Sequence, residues 1–394
     1  MYDRRAALAF LRQKIDVASE SGDGLLAVQE KFKLGVVEVT ELLLEAHRQD
    51  KKLKPKPGSI LQRLYDSDSP GSIPFAGTTS FEPDLSAPRL DGIGTVKLGK
   101  VKIPRLGIGC MRLVSQSGYV GGEPVSAIGL PRSPEANRHA LLNAVQVSGV
   151  RMLDLARGYG AWPGAGERML CDWFPAPRRG LVIASKVGYR RTPAGTWLVD
   201  LDPKFLQKEL EESRAQFSAP VPLMYLVVRS TPSTPVVNRP KQLARALAPL
   251  LEAKENGLIT SIGVANATAD EVEALCQSGK VAVVQNRFTL HALKDKTQRA
   301  VFDLTAKLGL PFVTWGLFGE GVQPRPAPPA AVSEAADALG VSEEEVTLAA
   351  LLATSPHVVP LPGPGRRDTL ESCLRGATLQ LPNETRERLL GALL

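Results

Sequence analysis

The feature that most restricts this chain is an alternation running from residue 95 to the C-terminus, in which short apolar runs take turns with longer amphipathic ones. The short runs fall at 106–109, 150–155, 181–186, 223–228, 259–265, 281–285, 311–315 and 358–361. Helical spacing fills the intervals at 135–147, 165–173, 203–217, 240–256, 269–278 and 295–308. A pair of helical patterns spans 330–354, and a last one covers 384–393. Where every strand is followed by a crossover helix, successive strands run parallel and the helices cover the sheet. Eight such units predict an α/β fold that closes into a (β/α)8 TIM barrel. A doubly wound sheet is the competing arrangement. Gly107-Ile108-Gly109 supplies only part of its G-x-G-x-x-G fingerprint, because Leu113 and the polar loop beyond do not open a helix there.

A barrel needs about 250 residues, and the chain has 394, so something precedes it. Val96-Lys97-Leu98 and Val101-Lys102-Ile103, joined by Gly99-Lys100, read as a small hairpin. Further upstream, Leu8, Leu11, Ile15 and Ala18 recur at helical spacing, as do Leu25, Val28, Phe32, Val36, Val39 and Leu43. Between them and the hairpin the chain is rich in Lys, Pro, Ser and Gly, a composition that buries too little apolar surface to offset ordering entropy. The expected organisation is therefore a helical extension over 1–50, a linker over 51–94 and the barrel over 95–394. The helical pair packs on itself or on the barrel, or offers its apolar face to a protein partner.

Lys and Arg number 48 against 41 Asp and Glu, a net charge of +7. That excess suits phosphate-bearing ligands but is thin over so long a chain, and no basic stripe with interleaved aromatics appears, so nucleic acid is not an expected partner. Cys110, Cys171, Cys276 and Cys373 stand far apart with no C-x-x-C pair, which predicts neither a metal site nor a disulfide framework and fits a reducing compartment. No membrane-length apolar run and no secretory signal pattern is present; the acidic Asp3 and Asp16 argue against an organellar leader. The expected location is the cytoplasm.

In such barrels the polar residues at the carboxyl ends of the strands carry the chemistry. The second strand ends in Asp154 and leads to Tyr159, the third ends in Lys186, the fifth in Asn266 and the sixth in Gln285. An Asp, a Tyr and a Lys at one mouth share a physical logic. A phenol with an ordinary value near 10 is a weak acid at neutral pH, and a nearby ammonium favours its ionised form while a carboxylate holds the ammonium. Taken singly, the Tyr is also compatible with a packed loop anchor, the Lys with a solvated strand end and the Asp with a helix cap.

At these residues the chain resembles the aldo-keto reductase superfamily, and its pyridoxal-reductase-like bacterial branch in particular. The motifs are Leu106-Gly107-Ile108-Gly109-Cys110-Met111-Arg112-Leu113, the stretch 149–160 similar to G-V-x-x-x-D-x-A-x-x-Y-G, Gly166-Glu167, and Ile183-Ala184-Ser185-Lys186-Val187-Gly188. Residues 255–266 are similar to E-G-K-I-R-x-I-G-V-S-N, 281–288 to a V-Q-N-x-Y segment, and 360–363 to the entry of a phosphate loop. The resemblance implies reduction of a small-molecule aldehyde or ketone with NADPH. It implies Tyr159 as general acid, Lys186 tuning it, Asp154 pairing Lys186, Asn266 and Gln285 holding the nicotinamide amide, and Trp315 stacking on the ring. Read from the residues themselves, the last loop is expected to bring backbone N–H groups of Gly363 and Gly365 close to phosphate and to pair the 2′-phosphate with Arg366 and Arg367, the alternative being a solvated Arg pair in a Gly-rich turn.

The chain departs from the family pattern in several places. Val228 stands where the catalytic His belongs, Ala265 replaces a Ser, and Cys373, Gly363 and Thr369 occupy positions of usual adenine and phosphate ligands. These departures sustain a second reading, a pseudo-enzyme that uses an aldo-keto-reductase-like barrel for binding, sensing or assembly.

Overall fold

The computed structural model describes residues 84–114, 119–120, 123–124, 134–159, 163–174, 180–191, 197–217, 220–229, 239–319 and 326–394. The helical pair expected over 1–50 and all but the last residues of the 51–94 stretch lie outside them.

Eight parallel strands form one sheet: β1 Ile108–Gly109, β2 Met152–Asp154, β3 Val182–Val187, β4 Leu223–Val227, β5 Ile262–Ala265, β6 Val281–Arg287, β7 Phe312–Trp315 and β8 Val358–Pro360. Each pairs with its successor in chain order. The ring closes where the N–H groups of Gly107 and Gly109 donate to the carbonyls of Pro360 (3.0 Å) and Pro362 (2.8 Å). The longer helices are α1 Pro134–Gln146, α2 Ala165–Trp173, α3 Pro203–Phe217, α4 Arg239–Glu255, α5 Ala269–Cys276, α6 Lys296–Lys307, α7 Ala330–Leu339, α8 Glu343–Thr354, α9 Arg367–Thr378 and α10 Asn383–Leu393; a single helical turn, Met111–Val114, also follows β1, where the sequence reading expects no helix to open. The boundary inside the 330–354 region is written locally. Gly340 takes φ 64° after α7, and α8 opens on a reciprocal cap in which Ser342 Oγ accepts the Glu345 N–H and the Glu345 carboxylate accepts that of Ser342.

Strand periodicity divides the core into two layers. Met152, Val182, Ala184, Leu223, Tyr225, Val227, Val283, Val313 and Val359 face the barrel interior, while Leu153, Ile183, Val187, Met224, Leu226, Val264, Val284 and Phe312 face the helices. The hairpin of Thr95–Leu98 with Val101–Pro104 plugs the amino-terminal end, with Leu98 and Ile103 joining the inner layer. Its turn requires Gly99, since φ is 60° and a Cβ there would lie 2.0 Å from Ser261 Oγ. Before the hairpin, residues 84–94 lie against the barrel. Leu90 and Ile93 are buried, and the Asp84 N–H reaches Asn143 Oδ1 at 2.9 Å. No helix of the described residues is long and apolar enough to cross a membrane.

Candidate active site

At the carboxyl end of the ring three strands aim polar groups inward. Asp154 lies in register with Gly109 and Ala184. From β3, the Lys186 ammonium bonds both Asp154 carboxylate oxygens and the Leu155 carbonyl. From β6, Gln285 Nε2 donates to the same carboxylate at 3.2 Å. All three side chains are buried. Burial pushes the Asp154 carboxyl up against the opposing pull of Lys186 and Gln285, and pushes Lys186 down against the pull of Asp154.

Tyr159, half-buried, sits above this pair, with its ring centre 5.4 Å from Lys186 Nζ. The turn that carries it is short: its N–H donates to Ala156 O at 2.9 Å, and its carbonyl accepts the Gly166 N–H at 3.2 Å. Sequence reasoning expects the ammonium to acidify the phenol. Here the phenol is held above its usual value, by burial first and then by the negative charge of Asp154. The Lys186 ammonium is committed to Asp154, so its attraction for a phenolate is largely offset by the carboxylate it pairs.

Asn266 and Trp315 form a second group at the mouth. Asn266 is the non-glycine residue among the described ones with positive φ, 59°, and this conformation turns its amide inward. Its Oδ1 accepts from Trp315 Nε1 at 3.2 Å, and its Nδ2 reaches Tyr189 Oη and the Arg229 carbonyl, both at 3.1 Å. The Asn266 N–H donates to the Gln285 carbonyl at 2.9 Å, which ties this group to the Asp154, Lys186 and Gln285 cluster.

The remaining expected ligands lie apart, on the loop after β8. Gly363 and Gly365 are not demanded by packing, since the nearest atoms to an added Cβ are Gly109 O at 3.9 Å and Arg112 carbons at 3.6 Å. Arg366 and Arg367 are exposed at the start of α9, yet both already have carboxylate partners. Arg366 Nε lies 3.2 Å from Asp368, and Arg367 bonds Glu371 at 2.7 Å and also Asp84. Cys373 is buried in the outer layer.

Three features escape the sequence reading. Tyr225, wholly buried on β4, lies beneath the ion pair with Lys186 Nζ 5.9 Å from its ring centre. Tyr189 stands at the mouth three residues after Lys186. Arg157, two residues before Tyr159, is buried against three carboxylates: Glu209 at 2.8 Å, Glu167 at 3.8 Å and Glu212. Glu167 in turn accepts from Ser185, the neighbour of Lys186, and from Ser213 at 2.8 Å. The spacing of Tyr189 from Lys186 and the place of Arg157 inside the Asp154 to Tyr159 run are the only signals the sequence offers for them. Val228, for its part, packs in the helix-facing layer with Met224 and Leu226. β4 presents Val227 inward instead, so the replacement of His by Val228 does not by itself enlarge the barrel interior.

Residues 105–392 match the model of the aldo/keto reductase family. Pyridoxine 4-dehydrogenase of Escherichia coli is 25% identical over 293 residues, covering 74% of this chain and 95% of the relative. Aldo-keto reductase yakc (NADP(+)) of Schizosaccharomyces pombe is 26% identical over 325 residues, covering 74% and 89%. Among solved structures, aldo-keto reductase AKR11C1 from Bacillus halodurans, in its holo form, superposes with a TM-score of 0.58 at 16% identity, covering 76% of this chain and 96% of that one. That likeness concerns the fold, whereas the family match runs through every strand of the ring. On that match, the chain belongs to the aldo/keto reductase family.

Proposed function

We propose that the chain is an NADPH-dependent reductase of aldehydes or ketones, with Tyr159 as the acid. The observation that carries this reading is the buried Asp154 and Lys186 pair under the Tyr159 ring. Burying an ion pair costs desolvation and is weak evidence for stability, so its position at the mouth of a barrel, beside a half-buried phenol, supports a chemical role.

The residues suit the cofactor at both ends. The amides of Asn266 and Gln285 match the donor and acceptor pattern of a carboxamide, and the half-buried Trp315 indole offers a flat apolar face. At the far end, Gly363 and Gly365 leave space over the first turn of α9, where exposed Arg366 and Arg367 suit a phosphate. The yakc relative carries NADP(+) in its name. When bound, the cofactor supplies the reducing hydrogen to the carbonyl carbon.

Tyr159 hydrogen-bonds the carbonyl oxygen and delivers its proton there as negative charge builds up. Because burial and Asp154 hold the phenol protonated, it stays loaded at neutral pH. The Lys186 ammonium, 5.4 Å from the ring centre, favours the phenolate left behind. Asp154 and Gln285 keep Lys186 in place between turnovers.

The test is a titration of the full chain with NADPH by tryptophan fluorescence, then NADPH oxidation with aliphatic and aromatic aldehydes. Pyridoxal belongs in that panel because one relative is named a pyridoxine 4-dehydrogenase. Tyr159→Phe should keep NADPH affinity and lose about 10²- to 10⁴-fold in turnover. Turnover that survives this substitution would place the chemistry elsewhere.

A further inference from the structure

The mouth holds a second phenol beside the exit of β4. Gly188 turns the chain out of β3 with φ 95°, so close to β4 that an added Cβ would lie 2.8 Å from the Val227 carbonyl. The next residue, Tyr189, packs on the inner layer of the barrel, as does Trp315. Its hydroxyl donates to the Arg229 carbonyl at 3.1 Å and accepts from Asn266 Nδ2 at 3.1 Å. Arg229 is fixed in turn, its guanidinium meeting the Glu271 carboxylate at 2.9 and 2.8 Å.

The geometry points to Tyr189 as a second hydrogen-bond donor to the substrate's carbonyl oxygen, beside Tyr159 and at the end of β4, where Val228 brings no polar group. This inference rests on the reading of the chain as a carbonyl reductase. Charge that develops on an oxygen is best met by preorganised donors, and each is worth about 10²- to 10³-fold in rate. The described histidines do not supply one. His139 lies on α1, His357 precedes β8 at the opposite end of the ring, and His291 is bonded to the Ala327 carbonyl.

The hydrogen-bond arrangement lets Tyr189 change partners at little cost. The Arg229 carbonyl accepts from Asn266 Nδ2 as well as from Tyr189, so turning the phenol proton toward a ligand leaves that carbonyl bonded. Asn266 keeps donating to the phenol oxygen, which polarises the O–H further. Burial and the neighbouring Tyr159 hold Tyr189 above its usual value, so it remains a donor throughout the neutral range. Stoichiometry is unchanged: Tyr159 transfers the proton and Tyr189 only shares its own.

The experiment compares the full chain with Tyr189→Phe, Tyr189→His and Tyr159→Phe, measuring NADPH Kd by fluorescence, thermal melts, and kcat and KM for one aldehyde. Tyr189→Phe should lower kcat and kcat/KM alike by about 10²-fold with NADPH Kd within about threefold. Tyr189→His, which restores an N–H donor, should recover part of that loss. An unchanged kcat in Tyr189→Phe, beside an inactive Tyr159→Phe, would overturn the inference and leave the reductase reading intact. A weakened NADPH affinity that accounts for the whole loss would also overturn it, making Tyr189 a prop for Asn266. If the unaltered chain binds NADPH yet reduces no aldehyde, the reductase reading falls and this inference with it.

Discussion

A Cβ atom at position 263 would fall 2.4 Å from Cδ1 of Tyr225, so the wholly buried phenol on β4 occupies the side-chain space of its neighbour on β5. The two residues are in register across the sheet. Gly263→Ala should therefore force the ring up toward Lys186 or distort the strand pair. The expected result is a loss of about 1–3 kcal/mol in denaturant unfolding, the usual range for overpacking, together with reduced turnover. Gly263 is not among the positive-φ glycines, so its loss reports overpacking, whereas Gly279→Ala, with φ 66° and no atom within 4 Å of an added Cβ, shows the separate size of backbone strain.

The charge on Asp154 is one of the influences that hold the Tyr159 proton in place. Its removal in Asp154→Asn should lower the phenol's value and also cost Lys186 its partner. The pH profile of kcat should be flat through neutrality in the unaltered chain. In Asp154→Asn the alkaline limb should move to lower pH, with turnover down at least about tenfold. An ultraviolet difference titration of the phenolate provides a readout that does not depend on turnover. An alkaline limb that stays put would show that Asp154 does not act on Tyr159.

Arg367 is paired with Asp84, whose carboxyl is held low by the Ser86 hydroxyl and N–H and by Arg367 itself. A cofactor 2′-phosphate that uses Arg367 must displace this exposed contact, which is worth little on its own. Asp84→Asn should tighten NADPH binding about two- to fivefold and leave NADH unchanged, a difference under about 1 kcal/mol. Arg366→Ala with Arg367→Ala should shrink the preference for NADPH over NADH. Equal affinities in the unaltered chain would remove both arginines from the site.

Glu209 shares Arg157 with Glu167 and Glu212, and burial, only partly opposed by Arg157, pushes its carboxyl up to about 7. The folded state thus keeps a proton that the unfolded chain releases near 4.5. The contribution of this group is full below about pH 4.5 and is lost as pH rises through about 7. Melting temperature should decline across that window, and Glu209→Gln should flatten the slope by on the order of 1 kcal/mol, roughly 2–4 °C. A slope unchanged by the substitution would assign the proton to another group.

Much of the scaffold is legible in the residues themselves, because strand and helix periodicities are local properties. The alternation from 95 onward yields the eight parallel strands, and Asp154, Lys186, Asn266 and Gln285 stand at strand ends that must share one rim. What each side chain does there is decided by neighbours distant in sequence. Lys186 meets Asp154 across 32 positions and Gln285 meets Asp154 across 131, and those contacts set how the charges balance. The same holds for Val228, which turns outward with the parity of β4, and for Arg367, whose partner Asp84 lies 283 positions away. Tyr189 and Tyr225 look like ordinary strand aromatics until the ring closes and brings them beside Asn266 and Gly263. Periodicity is encoded along the chain, whereas desolvation, charge pairing and hydrogen-bond partners exist only once the barrel folds.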